Sequence, residues 1–311
     1  MKRTIVVTGG TGFVGRRLVA RLLGRGDRVV VLSRHPDPSR LPAGAEAAPW
    51  RPEALGPWTK SLEGADAVVN LAGEPVMGAR WTEAKRRTIY DSRVVSTRRL
   101  VEAIGALAAK PRAFVSASAV GYYGARPPDE VLAEDAGPGE GFLARVVVDW
   151  EAAALGAEPL GVRVVLPRIG LVLGPEGGVL HTMVPAFRLF AGGPLGSGEQ
   201  VIPWVHAEDM VSLLVWAIDD ERASGPINAT APHPVSMEAF ASAVGRALGR
   251  PAALRVPALA LRAALGEAAE PILTGQRAIP RRALDLGFAF RHPEIDGALG
   301  DLLGPSASAP S

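Results

Sequence analysis

Three glycines stand three residues apart near the start of the chain, at Gly9, Gly12 and Gly15. That spacing suits a turn wrapped around phosphate. The first glycine permits a sharp bend, the second lets backbone approach a pyrophosphate, and the third lets a helix lie close on a sheet. Backbone N–H groups at the start of the following helix favour an anion. Gly9, Thr11, Gly12, Phe13, Val14 and Gly15 are therefore the expected cradle of a dinucleotide. A second group selects its type. Roughly 20 residues past the glycines, an NAD-binding chain carries Asp or Glu for the ribose 2′-OH. Here Ser33, Arg34 and His35 follow an apolar run, and none of them is acidic. Ser33 offers a hydroxyl, and the Arg34 guanidinium can meet a 2′-phosphate. The expectation is NADP(H) in preference to NAD(H); the plainer alternative is that Arg34 is a solvated surface arginine.

These residues need a scaffold that brings strand ends together. Ile5, Val6 and Val7 form a β-branched run suited to a buried parallel strand, and Val14, Leu18 and Leu22 mark a helix face after it. Further strands are expected at 28–32, 67–71, 113–116 and 162–166, with helices at 82–107 and 143–155. Such alternation predicts an α/β fold: a Rossmann-type doubly wound parallel sheet that binds ligands beyond the carboxyl ends of its strands. Leu71, Ala72 and Gly73, after one strand, and Pro167, after another, complete the expected cofactor contacts. Past Gly170 the texture changes. Segments 174–178 and 192–198 read as glycine- and proline-rich loops, either walls of a cleft or plain turns. A helix at 208–219 and a return strand at 226–229 follow, and helices dominate from Ser236 onward. The expected division is an NADP-binding domain at 1–230 with substrate-loop insertions at about 170–205, a smaller, mostly helical C-terminal lobe at 231–305, and a disordered tail at 306–311.

Composition narrows the function. The chain has 311 residues, 48% hydrophobic and 21% charged, with net charge +2. That balance is wrong for a dedicated nucleic-acid surface. There is no cysteine, which removes disulfides, thiol nucleophiles and cysteine metal sites and leaves the redox compartment open. The five histidines are scattered without an HExxH, so no metal is expected. No stretch approaches the roughly 18 apolar residues of a membrane helix, and nothing reads as a signal peptide. The expected setting is cytoplasmic, with a small-molecule substrate and neither nucleic acid nor membrane as partner.

Several segments together carry a family resemblance: 8–15, 70–75, Arg80 with Trp81, Ser92 with Arg93, 116–124, 192–198, 204–209 and 275–280. Over nearly its whole length the chain resembles an atypical, extended short-chain dehydrogenase/reductase, in the NAD-dependent epimerase/dehydratase-like group with a distinctive C-terminal domain. The resemblance implies a Rossmann fold, NADP(H), oxidoreductase or epimerase chemistry, and a homodimer paired through the helices at 82–107 and 143–155.

The chain departs from that superfamily at its catalytic centre. The superfamily's Tyr-x-x-x-Lys pair is missing: Tyr90, Tyr122 and Tyr123 are followed four residues on by Val94, Arg126 and Pro127. Counting back from Trp150 and Glu151, Leu143 and Val147 occupy the expected positions, and Arg93 replaces a usual Asn. The resemblance leaves Ser118 as the catalytic serine, able to bond a substrate carbonyl or hydroxyl or else to cap a turn. Tyr123, or Tyr122, could donate a proton or simply pack. Glu74 could act as acid or base near the nicotinamide or form a wall. Arg93 could hold a cofactor phosphate, a substrate carboxylate or a neighbouring Asp. His206 is expected to cap a helix, and Asp66 to sit in a turn. Two functions remain open: hydride transfer on a small hydroxylated or nucleotide-sugar-like substrate, or cofactor binding with little or no turnover, as a regulatory or sensor protein.

Overall fold

The computed structural model describes residues 2–304, and the expected tail at 306–311 lies outside the described residues. The first half contains β1 (Thr4–Thr8), α1 (Phe13–Gly24), β2 (Arg28–Ser33), β3 (Glu46–Pro49), β4 (Ala67–Asn70), α2 (Glu83–Tyr90), α3 (Ser96–Gly105), β5 (Ala113–Ser116), β6 (Ser118–Ala119), β7 (Val131–Leu132) and α4 (Phe142–Leu155). The second half contains β8 (Arg163–Ile169), β9 (Leu171–Gly174), α5 (Gly178–Arg188), β10 (Val201–Ile202), β11 (Trp204–His206), α6 (Ala207–Asp219), β12 (Gly225–Ala229) and β13 (Val235–Ser236). It ends with α7 (Met237–Leu248), α8 (Ala258–Leu265), α9 (Glu270–Leu273), β14 (Arg277–Ala278), α10 (Arg281–Asp285) and α11 (Ile295–Leu303).

The β-branched runs become one parallel sheet, in the order β12-β8-β5-β4-β1-β2-β3, with β6 also paired to β8. Alternate residues feed its two faces. Ile5, Val7, Val29 and Val31 meet Leu18 and Leu22 of α1 and Leu213 and Leu214 of α6. Val6, Val30, Val68, Phe114 and Val164 meet Leu100 and Ile104 of α3 on the other side. Each such fully buried side chain contributes about 1.5–3 kcal/mol. The winding reverses between β1 and β4, which opens a crevice at their carboxyl ends, the binding position of open α/β sheets.

A third core belongs to the second lobe. Leu173, Leu180, Val184, Phe187, Ile202 and Trp204 pack with Met237, Phe240, Val244, Ile295 and Leu299. The segment at 170–205 thus shares its core with the C-terminal helices. Between the two expected loops of that segment lies α5, which sequence reading passed over. The edge strand β3 was missed as well; it is four residues long and lacks a β-branched run. The single helix expected at 82–107 is divided by a π turn, Asp91–Val95, and α3 ends at Gly105.

Pro167 requires a correction. It lies buried inside β8, short of the strand's carboxyl end at Ile169, so it is not at the mouth of the crevice. The register explains how a proline is tolerated there. β5 pairs with β8 as far as Val115–Val165, and β6 resumes at Ser118–Arg168. The ladder is interrupted where proline has no N–H to give.

Candidate functional site

The glycine turn is shaped by close backbone approach. Gly9 has φ +70, and a Cβ there would stand 2.7 Å from the Leu71 carbonyl carbon and 2.9 Å from the Ala72 nitrogen. A Cβ on Gly15 would stand 2.1 Å from the Gly9 oxygen. These two glycines hold α1 against β1 and against the end of β4. Gly12 differs: a Cβ there would meet only the Gly9 oxygen, at 3.2 Å, and the residue is exposed. It is the N-cap of α1, with no side-chain cap and no acid in the first turn. The leading N–H groups of α1 therefore have no side-chain cap at Gly12 and no acid within the first turn, a setting that a diphosphate would complement. Thr11 and Val14 are half-buried beside this turn, and the Phe13 ring packs under Gly174 and Gly177, where a Cβ would meet it at 2.4 and 2.8 Å.

Behind the turn a buried polar chain ties the strand ends together. Thr8 Oγ1 donates to Asn70 Oδ1 at 2.7 Å and accepts from the Ala72 N–H at 3.3 Å. Asn70 Nδ2 donates to Thr97 Oγ1 at 2.9 Å, as does Trp150 Nε1 at 2.9 Å. Leu71, Ala117 and Ile169, with Val94 and Trp150, form an apolar floor at the ends of β4, β5 and β8. At the end of β2, Ser33 Oγ accepts the His35 N–H at 3.2 Å. Arg34 is exposed and has no hydrogen-bond or ion-pair partner among the described residues. The residues present fit a dinucleotide.

Ser118 is buried, and its Oγ donates to Glu151 Oε1 at 2.5 Å. The same carboxylate takes Arg168 Nε at 2.8 Å and Nη2 at 2.9 Å, a two-pronged pair. Burial pulls the Arg168 pKa down, but the hydrogen bonds and charge of Glu151 outweigh it and leave it raised. The Arg168 guanidinium covers the Tyr122 ring at 3.5 Å. Its Nη1 donates to Tyr123 Oη at 3.0 Å.

Tyr123 requires the second correction. It is fully buried, its hydroxyl reaches Asn228 Oδ1 at 2.8 Å and the Ala133 oxygen at 3.1 Å, and burial raises its pKa. A hydroxyl so buried and bonded fits packing, the alternative expected for Tyr123, better than proton donation. Glu74 is paired with Lys85 Nζ at 2.6 Å, while its N–H donates to Ser92 Oγ at 3.0 Å. Arg93 occupies the π turn and lies against Gly73, with its guanidinium carbon 5.4 Å from the Trp150 ring centroid. Burial lowers its pKa to about 10, against the opposing charge of Glu74, so it stays charged at neutral pH. π turns of this kind recur at functional sites.

The positions expected for the missing Tyr and Lys do front the strand end. A Cβ on Gly121 would lie 3.8 Å from Leu143 Cβ and 4.0 Å from Val147 Cγ2. Glu151 is the next residue on that face at i, i+4, i+8 spacing. Sequence reasoning used Glu151 only as a landmark and missed its bond to Ser118; the helical spacing was the available signal.

Away from this site, His206 caps α6, with Nδ1 accepting the Glu208 N–H at 3.1 Å. His206, His292 and Asp301 bring ligand atoms within 4.8 Å of one another. The cap, however, occupies the Nδ1 lone pair. A neutral His206 then carries its proton on Nε2, which lies 3.3 Å from Asp301 Oδ2 and has no lone pair for a metal in that tautomer.

Residues 5–229 match the profile described as the NAD dependent epimerase/dehydratase family, and residues 256–302 match a domain of unknown function, DUF1731. The epimerase family protein SDR39U1 homolog, chloroplastic, of Arabidopsis thaliana is 42% identical over 299 residues, covering 95% of this chain and 85% of that one. The crystal structure of human epimerase family protein SDR39U1 (isoform 2) with NADPH has a TM-score of 0.87 at 34% identity, over 96% of this chain and 99% of that one. MoeE5 in complex with UDP-glucuronic acid and NAD gives 0.76 at 25% identity, over 95% and 96% of the two chains. A family model matched over residues 5–229 and a relative 42% identical over nearly the whole length show that the chain belongs to the NAD dependent epimerase/dehydratase family.

Proposed function

We propose that this chain is an NADP(H)-dependent oxidoreductase or epimerase acting by hydride transfer on a small hydroxylated or nucleotide-sugar-like substrate. The observation that carries the reading is the uncapped start of α1 at the sheet reversal, opened by Gly12 and braced by Gly9 and Gly15. The unpaired Arg34 at the end of β2, with no acid beside it, favours the 2′-phosphorylated form. The NADPH in the human relative's structure accords with this, and the NAD of MoeE5 is the counter-case to test. The nicotinamide would accept or give hydride; the protein binds, orients and excludes water. Leu143 and Val147 present apolar side chains to Gly121, three residues after Ser118. Since the Ser118 proton is directed at Glu151, its oxygen is free to accept a hydrogen bond from a substrate hydroxyl.

Paired titrations test the cofactor. NADPH should bind about 10-fold or more tighter than NADH, and Arg34→Ala should erase that advantage, since a charge-assisted bond is worth about 1.5–3 kcal/mol. Equal affinities, or tighter NADH, overturn the preference. The second reading, a cofactor-binding regulator or sensor with little turnover, draws on Leu143, Val147 and the sealed Tyr123 hydroxyl, which supply no obvious proton donor. A panel of carbonyls, alcohols and nucleotide sugars separates the two. Turnover lost in Ser118→Ala favours the enzyme; tight NADPH binding with neither absorbance change nor epimerised product favours the regulator.

A further inference from the structure

Arg93 is bonded along only one edge of its guanidinium. Its Nη1 donates to the Glu74 carbonyl at 2.9 Å and to the Ile89 carbonyl at 3.3 Å. These two bonds fix the plane of the guanidinium. The opposite edge, Nε and Nη2, has no partner among the described residues, yet it is not sealed from solvent. The guanidinium lies close to Gly73, just past the carboxyl end of β4: a Cβ there would come within 3.1 Å of Cζ and Nη2 and 3.5 Å of Nε. Only a glycine lets the crevice wall approach this closely.

Among the described residues, no carboxylate is hydrogen-bonded to that edge. Glu74 is the carboxylate whose charge acts on Arg93, and its Oε1 is bonded to Lys85 Nζ at 2.6 Å. Glu151, on the far side of Trp150, is taken up by Arg168 and Ser118. Tyr90 directs its hydroxyl to Asp149 at 3.0 Å. Meanwhile the support is fully specified. The Trp150 ring lies under the guanidinium and is pinned through Nε1 to Thr97, and Thr97 is bonded to Asn70 at the end of β4. A fork of two parallel N–H donors, held flat and desolvated from behind, matches the two oxygens of a carboxylate.

We propose that Arg93 is the substrate-anchoring residue of this site and that the substrate carries a carboxylate, which seats on the Nε–Nη2 edge. This rests on the cofactor reading above and narrows the substrate from hydroxylated compounds in general to hydroxy or oxo acids, sugar acids included. A pyrophosphate at α1 and a carboxylate at Arg93 would occupy opposite sides of the Gly73 loop.

The probe is oxamate, a small unreactive carboxylate, titrated into protein already saturated with NADP⁺. Oxamide, its neutral counterpart, and inorganic phosphate are the control arms. Oxamate should bind saturably to the wild type and weaken by about 10-fold or more in Arg93→Gln, the loss of a charge-assisted pair. Arg93→Lys keeps the charge but loses the fork and should fall between the two. NADPH affinity should stay within about twofold in both variants, and Arg93→Lys guards against a result caused by misfolding. The proposal is overturned if NADP⁺-loaded wild type ignores oxamate, if Arg93→Gln binds it unchanged, or if phosphate or oxamide binds as well as oxamate. It is also overturned if NADPH and oxamate weaken together in Arg93→Gln, because Arg93 would then be a cofactor contact. Failure of the wild type to bind NADPH at all would show instead that the cofactor reading had failed.

Discussion

Ser118, Glu151 and Arg168 illustrate how far single residues can be read. Ser118 was legible because it follows an apolar strand and a family motif surrounds it. Arg168 and its pairing with Glu151 were not, since only the packing of α4 against β8 brings the two together. Tyr122 and Tyr123 were indistinguishable in sequence; the tight turn over Val120–Tyr123 sends one ring onto Arg168 and buries the other. The pair itself yields a prediction. Both partners are buried, so Glu151→Gln leaves the Arg168 charge without a counter-ion and should cost about 3–5 kcal/mol in urea unfolding. The double variant Glu151→Leu with Arg168→Met should recover much of that loss. A single variant as stable as the wild type would mean that the pair is solvated in solution.

Among the elements, the glycine turn was the most legible, because its requirement is steric and local. Its three positions should nevertheless behave differently. Gly15→Ala drives a Cβ into the Gly9 oxygen and should lower stability by about 1–3 kcal/mol along with cofactor binding. Gly12→Ala faces open space apart from one contact and should keep most of its stability while losing NADPH affinity. Thermal melts beside NADPH titrations check this; equal stability losses in both variants would contradict the assigned roles. The π turn was invisible in sequence, since one inserted residue barely disturbs helical periodicity. The helix α6 carries a pH dependence through its His206 cap. Burial, then the neighbouring His292, lowers the His206 pKa below 6.5, against the charges of Asp301, Asp209 and Glu208. On acidification below that ordinary value the unfolded chain gains a proton that the native chain refuses, so stability present at neutral pH is lost. His206→Asn preserves a cap without titrating. Its melting temperature should fall less than the wild type's between about pH 7 and about pH 5.5; equal falls would exclude His206 as a source.

The molecule as a whole was readable as a parallel α/β sheet because strand and helix periodicities alternate in sequence. The smaller lobe was harder, since its core joins 171–204 to helices more than thirty residues further on. The two parts also meet across the site. Arg80 donates to the Ala263 and Ala264 carbonyls of α8, and Arg86 pairs with Glu267; within the first lobe, Trp81 meets Phe142 edge-on at 5.4 Å. The segment after β4 is thereby strapped to the C-terminal region. These features converge on a site that fits a nicotinamide dinucleotide. Calorimetric titration of purified, folded chain with NADPH and then NADH tests that convergence most directly. A single saturable site for NADPH, with NADH weaker, is the predicted result; no saturable heat from either dinucleotide would contradict it.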